Sequence, residues 1–332
     1  MPLDHYVSQV HLRNFYSPAL GELMYAMRKS DLKRFTPNAH SVCRIEDGST
    51  NAYIRENRAI EEFLKTIEPR YNSALANLIG DNIDQECIYT VAGFVAYVMT
   101  CSPTAMRISA APLKSMVETW AVAADEHGLI PLPPQELGGR RLAELLSAGD
   151  IEITVDPKYP QAVGISSILR VVAAFGNFKW DVLHNRFDQS PFFTSDFPVA
   201  IEETVDWRIV NRIVPLAPNL AVRIRPDLTF DRKRADLSFT NFGYCSKSIS
   251  RSELVEINRL IVRCAEDMIF FRDNSPWVQK FIAKNHNYRV EATTHKIAQG
   301  NGTLVISSQR IRPWRADRGD PPGQTVSPRP KM

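Results

Sequence analysis

The chain has 332 residues, with 44% hydrophobic, 23% charged and 9% aromatic side chains, enough apolar surface to fold a core without disulfide or metal staples. A balance of 40 Lys and Arg against 37 Asp and Glu leaves a formal net charge of +3, which excludes the strong basic footprint of a dedicated nucleic-acid binder. Five widely spaced cysteines (Cys43, Cys87, Cys101, Cys245, Cys264) without C-x-x-C argue against a secreted disulfide framework and a structural zinc site; with no apolar leader after Met1, a cytoplasmic location is expected.

In chain order, the first element is an apolar segment carrying His5, Gln9 and Arg13. The three are four residues apart and share one face if the segment is helical. Leu23–Met27 reads as a short strand, and residues 37–51 as a turn-rich stretch centred on Asp47-Gly48. Arg55–Ile79 has the period of an amphipathic helix that Pro69 should kink or divide. Cys87–Cys101 is apolar nearly all round, which suits a central core helix, and Pro103 should end it. Its apolar run, Ile88–Met99, is too short to span a bilayer, so no membrane association is expected.

Leu113–Glu126 predicts a further helix, followed by a Pro/Gly-rich loop and a short helix over Arg140–Ser147. Ile151–Val155 alternates like a half-buried strand, and Pro160–Phe175 reads as helix. Strands are expected at Lys179–Leu183, Phe192–Thr194, Val199–Glu202, Ile209–Pro215 and Leu220–Arg225. Ser250–Phe271 is the clearest helix, with Ser250 and Glu253 in a capping-box pattern. Past Arg310 the period is lost and prolines accumulate.

Helices first and strands later argue for an α+β fold, with a helical N-terminal half, a mostly antiparallel sheet in the second half and a long amphipathic helix closing it. The domain expectation is a single α+β domain over residues 1–311, with a loop or internal boundary at 128–150, and a disordered Pro/Arg-rich tail over 312–332. There is no Walker loop or G-x-G-x-x-G.

Asp196 sits in Thr194-Ser195-Asp196-Phe197-Pro198 among apolar neighbours, so it is expected to be buried and to need partners. It reads either as a pocket acid, general base or metal ligand, or as a turn residue bonding backbone N–H groups. Asn258 falls inside the apolar stripe of the last long helix, as a ligand-orienting amide or as a structural clamp on a neighbouring loop. Glu61 and Glu68 lie two turns apart on one helix. His5 is a candidate acid/base or metal ligand, or a satisfied structural residue, and Arg13 a candidate anion contact or the partner of an acid. The remaining histidines, His11 among them, have no metal-ligand spacing, and no metal site or particular cofactor is indicated.

The opening His5-Tyr6-Val7-x-Gln9-x-x-Leu12-Arg13-x-Phe15 resembles the HYVPQ motif of the domain-of-unknown-function 4238 family. Ile60-Glu61 with Ile67-Glu68 resembles that family's two "IE" steps, Phe193–Val199 its TSDxP segment, and Asn258 with Ala265 its late N…A helix. The likeness covers roughly residues 5–272. Ser8 stands where the family usually has Pro. The Arg that often precedes a Pro after the central helix is absent from Met99-Thr100-Cys101-Ser102-Pro103. The resemblance implies which residues matter and carries no activity with it.

Three readings follow. The leading one gathers His5 and Asp196 as catalytic groups, with Gln9, Arg13 and Asn258 contacting a small-molecule or phosphate-containing ligand, in a hydrolase acting on a phosphoester or nucleic-acid-like substrate. The second makes the same residues a buried hydrogen-bond network in a non-enzymatic ligand-binding or regulatory module. The third, less favoured, binds nucleic acid through Arg223, Arg225, Arg232–Arg234, Arg310, Arg312, Arg315 and Arg318.

Overall fold

The computed structural model describes residues 3–131, 134–206, 208–300 and 302–314. Strand β1 (Leu3–His5) leads into the short helix α1 (Gln9–Arg13), then β2 (Tyr25–Arg28), β3 (Arg34–Phe35) and β4 (Arg44–Glu46). His5 therefore ends a strand instead of opening a helix. It pairs with Arg44 in the antiparallel β1–β4 ladder.

Helix α2 (Ala59–Ile67) and helix α3 (Tyr71–Ile79) are separated by a 3-10 turn over Glu68–Arg70. Pro69 divides them, because it lacks an N–H and its ring clashes with the preceding turn. Helix α4 (Gln85–Cys101) is the buried centre, with Phe94, Val95 and Val98 inaccessible to solvent. Gly93 lets α2 approach closely: a Cβ there would lie 2.8 Å from Ile67 Cγ2.

Pro103 opens a helix as well as ending one. Ser102 accepts from the Ala105 amide (3.2 Å), and Pro103 takes the first position of α5 (Pro103–Glu126), where its missing N–H costs nothing. The helix thus starts well before Leu113. After α6 (Leu142–Ala148), Ile151–Val155 forms no strand; its alternating residues meet no ladder partner. The expected Pro160–Phe175 helix is two, α7 (Lys158–Ser166) and α8 (Ile168–Gly176). Among the described residues no single helix is long and apolar enough to cross a membrane.

The strands come next: β5 (Lys179–His184), β6 (Thr194–Ser195), β7 (Ala200–Glu203), β8 (Val210–Ala217), β9 (Leu220–Arg225) and β10 (Gly243–Ser248). Helix α9 (Arg251–Cys264), β11 (Met268–Phe271), α10 (Pro276–Asn285), β12 (Tyr288–Gln299) and β13 (Gly302–Pro313) complete the order. A five-stranded sheet runs β10-β5-β9-β8-β7, antiparallel except for the parallel β10–β5 pair. A four-stranded sheet runs β3-β2-β11-β6, and β12 pairs with β13 as a long hairpin. The fold is α+β.

The last long helix stops at Cys264. Ala265 is extended (φ −54°, ψ 144°), and Met268–Phe271 returns as a strand between β2 and β6. The hairpin carries Arg312 and Pro313, so regular structure runs past residue 311. Of the expected tail, residues 315–332 lie outside the described residues.

Candidate functional site

The N-terminal row forms, although His5 is on a strand. The His5 Nε2 lies 3.1 Å from the His40 carbonyl, and a carbonyl only accepts, so Nε2 carries the proton. Nδ1 then accepts from the Gln9 amide at 3.5 Å, and Gln9 Oε1 accepts from Arg13 at 3.3 Å. Every donor in the row points the same way. Burial lowers the His5 pKa against the bond to the His40 carbonyl, with the Arg44 charge acting in the same direction as burial, so the neutral ring is the resting form.

Beneath the row, the Ser8 hydroxyl donates to Glu68 at 2.5 Å and does not cap α1. The Ser8 backbone (φ −56°, ψ 132°) is one proline also adopts. Burial raises the Glu68 pKa, and the Ser8 bond works against it; Glu61 and Arg13 are close enough to act on its charge. The Tyr97 hydroxyl donates to the His5 carbonyl. The two glutamates and the three row residues thus occupy one half-buried polar face.

His11 was assigned no role from its spacing, and it is the hub of the interior. Its ring is fully buried, with Nδ1 2.8 Å from the Tyr71 hydroxyl, Nε2 2.8 Å from the Thr194 hydroxyl, and the Phe94 ring stacked on it at 4.7 Å. Burial pushes its pKa down to about 3. Val7, His11 and Phe15, each four apart, mark the apolar side of the segment, a spacing that points His11 inward.

The Thr-Ser-Asp segment faces the turn after α9. Asp196 Oδ1 accepts from the Glu266 amide (2.9 Å), and Oδ2 from the amides of Asp267 and Met268 (both 2.8 Å). Ser195 Oγ accepts from the Phe197 amide at 3.2 Å. Lys29, which sequence reasoning missed, holds the carbonyl side of the same turn. Its buried ammonium donates to the carbonyls of Ala265 (2.5 Å), Tyr288 (2.6 Å) and Arg263 (3.5 Å). Burial pushes the Asp196 carboxyl up, to about 7, against the backbone N–H groups of Asp267 and Met268. Burial pushes Lys29 down, to about 8, against the attraction of Asp196. No pattern in the sequence marks Lys29, because its partners are all backbone carbonyls distant along the chain.

Asn258 clamps a neighbouring loop. Its Oδ1 accepts from the Phe193 amide (2.9 Å), and its Nδ2 donates to the Pro191 carbonyl (3.0 Å). The hydrogen bonds of His5 and Gln9 go to neither Asp196 nor Asn258. Tyr6, the residue after His5, lies near enough to Asp196 and Glu266 for their charge to raise its pKa, adding to burial. Two surface grooves, of about 400 and 640 Å³, are lined by other residues.

Among the described residues no three His, Cys, Asp or Glu side chains cluster to hold a metal ion. The candidate nucleic-acid arginines are largely engaged. Arg223 meets Asp181, Glu202 and Glu253; Arg225 pairs with Asp181 and Arg310 with Glu203. Arg315 and Arg318 lie outside the described residues.

A family model described as protein of unknown function, DUF4238, matches residues 4–275. No curated protein and no solved structure matches the chain.

Proposed function

The chain belongs to the DUF4238 family of proteins of unknown function, and we propose that it is a non-enzymatic ligand-binding or regulatory module whose motif residues form an internal hydrogen-bond network. The observation that carries this reading is the Asp196 carboxylate, which is buried and accepts from three successive backbone amides. An acid so engaged holds a turn and has little left with which to move protons or bind metal. Asn258 spends its amide on the 191–193 loop, and His11 joins α1 to α3 and β6. A cytoplasmic site of action fits the five free cysteines. The test is stability. Asp196→Ala and Asn258→Ala should each lower the melting temperature by several degrees; unchanged melting would overturn the reading.

A second reading, hydrolysis of a phosphoester, draws support from the surface row. His5 would be the acid/base, since its Nδ1 lone pair is held only by a long amide bond, with Gln9 orienting it and Arg13 as the anion contact. Asp196 would then act only through the fold. Turnover of a broad phosphoester and nucleic-acid panel with Mg²⁺, Mn²⁺ or Zn²⁺, lost in His5→Ala, would establish it. An inert wild type would remove it.

A further inference from the structure

Arg212, on β8, is a buried cation that forms no ion pair among the described residues. It is 9% exposed, its Nη2 donates to Gln309 Oε1 at 2.6 Å, and its Nη1 is buried with no partner among the described residues. Arg223, on the neighbouring strand β9, is surrounded by Asp181, Glu202 and Glu253. A buried guanidinium lacking a counter-charge is costly, and an anion brought to it would be held strongly.

The one polar partner of Arg212 also lines a groove. Gln309 belongs to the wall of the cleft of about 400 Å³ bounded by α5, α7 and the β12–β13 hairpin. Ile108, Pro112, Leu113 and Val163 give the groove apolar wall, and Ser307 and Ser308 line it beside Gln309. The volume suits a small molecule. Apolar walls would not favour an inorganic anion, and a neutral apolar ligand would leave Arg212 uncompensated.

We propose that this groove binds an amphiphilic carboxylate, a medium-chain fatty acid by chemistry. The chain lies against Ile108, Pro112, Leu113 and Val163, and the head group is drawn to Arg212 as the Gln309 amide swings aside. The site is separate from the motif network and does not depend on its role.

Decanoate, titrated calorimetrically into the full chain below its micelle concentration, should bind saturably with one site. 1-Decanol, which lacks the charge, and inorganic phosphate, which lacks the chain, should each bind about ten-fold more weakly or worse. Val163→Trp fills the groove at a residue that is 52% exposed, so folding is spared, and it should abolish binding. Arg212→Met should weaken decanoate by about ten-fold or more. Should that variant fail to fold, Gln309→Glu decides: it places a carboxylate on Arg212 from within and should exclude decanoate while raising the melting temperature. Absence of saturable decanoate binding, equal binding by decanol, or unchanged binding in Val163→Trp or Gln309→Glu would overturn the proposal.

Discussion

Lys29 and Asp196 grip the same turn from opposite sides: the ammonium donates to the Ala265 carbonyl, and the carboxylate accepts from the amide of Glu266, the next residue. Through that turn α9 passes into β11, so the chain reversal between the five-stranded and four-stranded sheets is fixed by two buried side chains of opposite charge. The backbone groups of an irregular segment shielded from water must be paired, and here Lys29, just past β2, and Asp196, just past β6, supply the partners.

Asp196→Ala strands three backbone N–H groups in the interior and is expected to cost about 3–5 kcal/mol of unfolding free energy. Lys29→Met should destabilise in the same direction. Because both hold one turn, the double variant should lose less than the sum of the single losses, by about 1 kcal/mol or more. Equilibrium denaturation of the four proteins measures the coupling; strict additivity would mean the two act independently.

His11 makes the fold acid-sensitive. Its folded-state pKa, about 3, lies below the ordinary 6.5, so between those values the unfolded chain takes up a proton that the native one refuses. Stability is therefore lost as pH falls from about 6.5 toward 3, by about 4–5 kcal/mol in all. Asp196, pushed up to about 7, acts in the opposite sense over much of this range, so the comparison that isolates the ring is wild type against His11→Gln. Denaturation at pH 7, 5 and 4 should show a shallower slope in the variant. Parallel slopes would place the acid sensitivity elsewhere.

Ser8→Pro should be tolerated. The native φ of −56° already suits a pyrrolidine ring, and a stiffer unfolded chain offsets the lost hydroxyl bond to Glu68, leaving stability within about 1 kcal/mol of wild type. Without that donor the Glu68 pKa should rise further, which titration of the side chain by NMR would show. Collapse of the fold would mean that the Ser8 bond to Glu68 is indispensable.

His5→Ala should cost less than about 1 kcal/mol, since the ring is half-exposed and its bond to Gln9 is long. Tyr97→Phe should cost more, about 1–2 kcal/mol, because it leaves the part-buried His5 carbonyl without that donor. Thermal melts of the two variants give the order directly; the reverse order would make the imidazole a structural member of the network.

Parts of this arrangement were legible in the sequence. Leu220–Arg225 alternates and is a strand over those same residues, and the all-round apolar Cys87–Cys101 is the buried helix. Asn258 inside an apolar stripe announced a buried amide, and Asp196 among aromatics a buried acid. Their partners were not legible, because Glu266–Met268 lies some seventy residues beyond Asp196 and offers only backbone amides, which no side-chain pattern encodes. Ile151–Val155 shows the converse. Alternation reflects one-sided burial, and a strand also needs a neighbour to pair with. The β12–β13 hairpin escaped notice because its distal half stands exposed, with Ile297 and Leu304 on its surface, so no one-sided burial pattern marks it, although Gly300-Asn301-Gly302 carried a turn signal between its strands.

The central claim is that the Asp196 carboxylate fastens the turn after α9 as part of the structure. Amide hydrogen exchange at Glu266, Asp267 and Met268 tests it most directly. In the wild type these three amides should exchange only as slowly as the flanking strand residue Ile269, and Asp196→Ala should release them. Exchange in the wild type at the rate of a solvent-exposed loop would contradict the account.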